Sequence, residues 1–163
     1  MTADPDPARV VSVGDALAAG LVRTAGELAA AAAAVRDGDE PEAVRALRIA
    51  CRRARAALAL TGDVTPAAGR LCDQLRDLAH AASAARDLDV QIAALTGMVA
   101  ALAADERVGV DGAVAMLRQH QADARARLRA TLAERSVPAL AAGLAALAGP
   151  VVELDPGRSR AVK

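Results

Sequence analysis

The stretch Pro41-Glu42-Ala43-Val44-Arg45-Ala46-Leu47-Arg48-Ile49-Ala50-Cys51-Arg52-Arg53-Ala54-Arg55-Ala56-Ala57-Leu58 carries two interleaved periodicities. Val44, Leu47, Cys51, Ala54 and Leu58 advance by alternating steps of three and four, the signature of one apolar helix face. Arg45, Arg48, Arg52 and Arg55 advance in the same way, one residue later. They predict a straight basic row turned by about 100° from the apolar stripe, on the shoulder of the core. From Arg45 to Arg55 the row spans roughly 15 Å. Stems on such a shoulder can pack while the guanidiniums reach outward. Pro41 suits a first helical turn, and Glu40 and Glu42 stand at the positive end of the helix dipole.

The same reading extends along the chain. A first helix is predicted from about Asp15 to Val35, with Leu17, Leu21, Thr24, Leu28, Ala31 and Val35 on its stripe. A third starts at Thr65-Pro66 and continues to about Ala104, with a bend expected near Ser83 to Asp87. Its stripe is Leu71, Leu75, Leu78, Ala82 and Ala85, then Leu88, Ile92, Leu95, Val99 and Leu102. A fourth begins at Asp111 and ends near Arg135, with Val114, Leu117, Gln121, Ala124 and Leu128 inward. Ser136 is placed to cap a short fifth helix, Pro138 to Ala148, closed by Gly149-Pro150. No segment alternates with period two, and alanine, the best helix former, dominates. The expected architecture is all-α: an antiparallel four-helix bundle over residues 14–149 with a short additional C-terminal helix, and tails at 1–13 and 150–163.

Composition narrows the function. The 163 residues carry 20 basic and 20 acidic side chains, so any anion binding must come from local clustering. Phe, Trp and Tyr are absent, which excludes readers that stack bases on rings. Lys163 is the single lysine among 19 arginines, which removes phosphate loops of the Walker type and Schiff-base chemistry. Arginine suits bidentate, permanently charged phosphate contacts. Cys51 and Cys72 make no disulfide scaffold. The acidic, Pro-rich start is unlike a secretory signal, and the uncharged run Ile92 to Ala104 is short of the about 18 residues of a membrane span. A cytoplasmic protein without membrane contact is the expectation.

A second basic row, Arg118, Arg125 and Arg129, follows Leu117, Ala124 and Leu128 by one residue on the fourth helix. The two rows would share a groove if their helices are neighbours. Rows of this kind also arise as solvated faces or as partners of internal acids, for which Asp73, Asp77, Asp87, Asp89 and Glu134 are available. Asp77 with His80, and His120 with Asp123, share helix faces but lack further inward ligands, so surface roles are expected rather than a metal site. No catalytic acid, base or nucleophile constellation stands out, and no cofactor motif is present.

Glu42 to Leu58 resembles the signature helix of the CHAD family, the conserved histidine α-helical domain, which typically reads E-A-V-H-x-L-R-V-x-x-R-R-x-R-x-x-L. About 30 residues further on, Ala85-Arg86-Asp87-Leu88-Asp89-Val90 matches the family segment A-R-D-L-D-V. Arg127 to Leu147 is similar to its continuation, so the resemblance covers roughly residues 14 to 148. It implies a non-catalytic helical module that binds inorganic polyphosphate through Arg48, Arg52, Arg53 and Arg55, joined by Arg86, and an association with polyphosphate or storage granules. The helical geometry adds Arg118, Arg125 and Arg129.

Arg45 stands where the family has its namesake histidine, which keeps positive charge but removes a group that titrates near neutrality. Aliphatic residues replace the family's aromatics. A full family domain resembles two such bundles in tandem, so the resemblance implies either a half-length member whose identical partner supplies the second bundle, as a homodimer, or a degenerate remnant. A structural or interaction bundle that does not bind polyphosphate is the alternative reading. Sequence-specific nucleic-acid binding is not expected.

Overall fold

The computed structural model describes residues 12–61, 66–99 and 101–153; the tails at 1–11 and 154–163, with Arg158 and Arg160, lie outside the described residues. Six helices follow one another: α1 (Val13–Asp37), α2 (Pro41–Thr61), α3 (Pro66–Val99), α4 (Ala104–Glu134), α5 (Val137–Ala146) and α6 (Ala148–Glu153). No strand occurs among the described residues. The helices pack in sequence, α1 on α2, α2 on α3 and α3 on α4. Beside α1 the fourth side of the bundle is filled mainly by α5 and α6, with only a small contribution from α4.

The apolar stripes become the core. On α2, Val44, Leu47, Cys51, Ala54 and Leu58 are all buried, as are Leu21, Thr24, Leu28, Ala31 and Val35 on α1 and Leu75, Leu78, Ala82 and Ala85 on α3. Small side chains in these seams allow close helix approach. Gly143 of α5 is one such point: a Cβ there would stand 3.0 Å from Leu71 Cδ2, so the bare backbone lets α5 settle onto α3. By length and hydropathy α1 is also apolar enough to cross a membrane, yet its stripe here forms one wall of the bundle core.

Helix ends differ from the sequence expectation where local capping outweighs propensity. Ser12 Oγ accepts a hydrogen bond from the Asp15 amide at 3.0 Å, so α1 begins earlier than expected. Ser136 Oγ accepts from the Ala139 amide at 3.4 Å, as expected for the start of α5. Helix α4 starts at Ala104 rather than Asp111, because the Glu106 carboxylate accepts from the Ala103 amide at 3.0 Å. The helix then runs through Gly109 and Gly112. Helix α5 ends at Ala146, ahead of Gly149-Pro150, which does not close it but sits in the first turn of α6, where proline needs no amide partner. Val151 of α6 joins the core, so the bundle reaches into what the sequence suggested was a tail.

The largest departure concerns length. Helices α3 and α4 have 34 and 31 residues, against 25 and 21 for α1 and α2. The main core cluster reaches only Leu88 on α3 and resumes at Ala124 on α4. Beyond it the α3–α4 hairpin continues as a two-helix arm, in which Ile92, Leu95, Val99, Leu102 and Leu117 are half-exposed rather than core. Only two helices are present there to cover them.

Candidate functional site

Helix α2 presents its basic row where the periodicity puts it. Arg45, Arg48 and Arg52 are exposed, Arg55 is half-buried, and the stripe one residue earlier is in the core. Helix α3 packs alongside and brings Arg86, from the segment Ala85 to Val90, to the same side. Arg45, Arg48, Arg52 and Arg86, with Ile49 and Val90, line a groove of about 360 Å³ between the two helices. No carboxylate is among those lining residues. Arg45 pairs with Glu42 at 3.0 Å, an exposed i,i+3 contact of the kind that contributes a few tenths of a kcal/mol. Among the described residues, Arg48, Arg52 and Arg86 have no ion-pair or hydrogen-bond partner. Arg55 borders the row, and its buried Nε lacks a partner. Four fixed positive charges therefore meet in one concave strip with no internal acid to neutralise it, save the loosely held Glu42.

The remaining predicted residues lie elsewhere. Arg53 faces the opposite shoulder and binds Glu27 of α1 at 2.9 Å, so it takes no part in the groove. Arg118 is exposed on the arm. Helices α2 and α4 are not neighbours, because α3 lies between them, so the second row does not share the groove.

Arg125 and Arg129 are corrections to the sequence expectation, since both are taken up within the molecule. Arg125 is buried; its Nη2 donates to Asp89 Oδ1 at 2.8 Å and its Nη1 binds the Asp39 carboxylate at 3.3 Å and the Asp39 carbonyl. Gln121 Nε2 donates to the same Asp89 oxygen at 2.6 Å. Arg129 binds the Asp39 carboxylate and donates to the carbonyls of Gly38 at 3.2 Å and Val35 at 3.4 Å. Arg36 of α1 in return donates to the Leu132 carbonyl at 3.1 Å. Each arginine thus satisfies carbonyls at the other helix's C-terminus, where amide donors have run out and the dipole is negative. The Arg129 hydrogen bond is the main reason the Asp39 carboxyl lies below its ordinary range, with partial desolvation opposing and Arg125 assisting. This clasp joins the α1–α2 turn to α3 and α4. Asp39 lies in a turn beyond the expected end of the first helix and carries no periodic signal, so the sequence alone gives no sign of its role.

The other features are chemically quiet. Burial pushes the Cys51 thiol up to about 12 despite nearby Arg55, so it is not a thiolate at neutral pH. Iodoacetamide is expected to label the half-buried Cys72 of the native chain and to reach Cys51 only after denaturation, as peptide mass mapping would show. Among the described residues no three His, Cys, Asp or Glu side chains are placed to share a metal. His80 and His120 line a second, larger groove between α3 and α4 with Arg76, Asp77, Arg127 and Glu134, where both signs of charge are mixed.

No curated protein and no solved structure matches the chain. A family model does: that of the CHAD domain, over residues 19–162, nearly the whole chain. This family is associated with polyphosphate binding and is in general a binding module rather than a catalyst. The match, the signature helix and the α3 segment agree, and the chain belongs to the CHAD domain family.

Proposed function

We propose that the chain is a non-catalytic module that binds inorganic polyphosphate in the α2–α3 groove. The observation that carries the reading is the convergence of Arg45, Arg48, Arg52 and Arg86 on one strip in which three of the four have no partner among the described residues. Like charges three and four residues apart weaken a helix, a small cost that a polyanion relieves. Polyphosphate repeats one charge per phosphate every few Å, and planar guanidinium forks match such a chain along its length. No base edges need to be read, so no aromatic platform is needed. Arg53, Arg125 and Arg129 are left out of the binding set because acids of the same molecule hold them. A cytoplasmic setting on or near polyphosphate stores accords with this role.

The test is calorimetric titration with long-chain polyphosphate at two salt concentrations, repeated with duplex DNA as competitor. Binding is expected to weaken steeply with salt, through counterion release, and DNA is expected to compete poorly against a strip that fits a single flexible chain. Absence of binding at low salt would overturn the reading and leave the interaction bundle in its place.

A further inference from the structure

The two-helix arm beyond the core is the least self-sufficient part of the molecule. From Val90 to Ala103 the sequence has no charged residue, although α3 there has only α4 beside it. A helix without a polar face is normally a covered helix. Three of the seven large apolar side chains that stand exposed among the described residues are in the arm and away from the groove: Met98, Val108 and Met116. Apolar exposure concentrated in this way marks an interaction surface.

Helix α4 indicates what covers it. Val108, Asp111, Ala115, Arg118 and Ala122 advance by three and four, so they form one row, and all five are exposed. The row is self-complementary. Turned end for end about Ala115, it sets Val108 against Ala122, Asp111 against Arg118, and Ala115 against itself. Asp111 and Arg118 have no ion-pair partner among the described residues, so both charges are available to such a contact. They are separated by about 10 Å, two helical turns, which is the spacing an antiparallel partner needs to satisfy both at once. Alanines at the centre permit close approach of the axes. Two helices side by side, each roughly 20 Å long, offer several hundred Å². That is below the about 800 Å² per partner of a standard interface, so the contact is of the weaker, concentration-dependent kind.

We propose that the arm is the interface of a homodimer in which α4 packs antiparallel on α4 of a second copy, with Ala115 at the twofold axis and Asp111 of each chain paired with the partner's Arg118. The interface is isologous, and one such contact closes the assembly at two copies. It uses none of the groove arginines, so its failure and that of the binding role are separable.

Sedimentation velocity on the full chain over a range of micromolar concentrations is expected to show a dimer. Asp111→Arg and Arg118→Asp alone should each weaken it at least tenfold, while the double exchange D111R/R118D restores it. Circular dichroism checks that each variant is folded. Independently, Ala115→Cys should form a disulfide-linked dimer on mild oxidation, whereas Val108→Cys, about 10 Å from the axis, should not exceed the background set by Cys72. A monomeric wild type overturns the proposal. So does a dimer indifferent to both single reversals, or a double exchange that stays monomeric while folded.

Discussion

Arg48→Glu combined with Arg52→Glu is expected to lower affinity for long-chain polyphosphate by at least about a hundredfold, with helix content unchanged. Charge-assisted hydrogen bonds contribute roughly 1.5–3 kcal/mol each, and each 1.4 kcal/mol is about a factor of ten. Two lost contacts, with two carboxylates now facing the phosphates, exceed two decades. Both side chains are exposed and unpartnered, so stability should move by no more than about 0.5 kcal/mol. Arg53→Glu, compared with Arg48→Glu alone, is the matched control: it makes the same charge change on the same helix but on the opposite shoulder, beside Glu27. Its loss of affinity should be small. Equal binding by the wild type and the double variant would rule the groove out as the site, and equal losses in Arg48→Glu alone and the control would show that the chain responds to net charge and not to the groove.

The second large effect concerns folding. Arg125→Met is expected to destabilise the bundle by about 3–5 kcal/mol, because it strands Asp89 as a buried carboxylate. The Asp89 side chain is only 1% exposed and Arg125 only 10%. Gln121 alone cannot offset the burial of that charge, and one oxygen, Asp89 Oδ2, already lacks a partner. Replacing both members, Asp89→Leu with Arg125→Met, should recover most of the loss, since an apolar pair of similar volume restores packing without an orphan charge. Urea denaturation of the three proteins measures both quantities. If Arg125→Met unfolds at the wild-type midpoint, the clasp is not a source of stability.

These two outcomes mark what the sequence could and could not disclose. On α2 a single offset of one residue separated core from groove, and the structure keeps that separation at every position from Val44 to Arg52. The same offset on α4 placed Arg125 and Arg129 on an equivalent shoulder, yet they are internal. Periodicity fixes the angle between a side chain and its own helix's core face, but it says nothing of what stands opposite. Opposite α2 is Arg86; opposite α4 are the Asp39 turn and the spent carbonyls of α1. The segment from Ala85 to Val90 divides likewise, with Arg86 toward α2 and Asp89 toward α4. The arm was legible in principle. Two helices longer than their neighbours must outrun them, so the stripe from Ile92 to Leu102 had to lose its cover, although its spacing is that of a core.

The straightness of the α2 row has a further consequence. Arg45 and Arg52 are fixed on a rigid rod about 10 Å apart. If the groove holds polyphosphate as proposed, a single phosphate or a pyrophosphate would reach only one or two of these anchors, whereas a longer polymer would engage all of them and gain from each already-tethered step. On the proposed reading the groove would then act as a ruler, with affinity rising steeply once a chain is long enough to span Arg45 to Arg52.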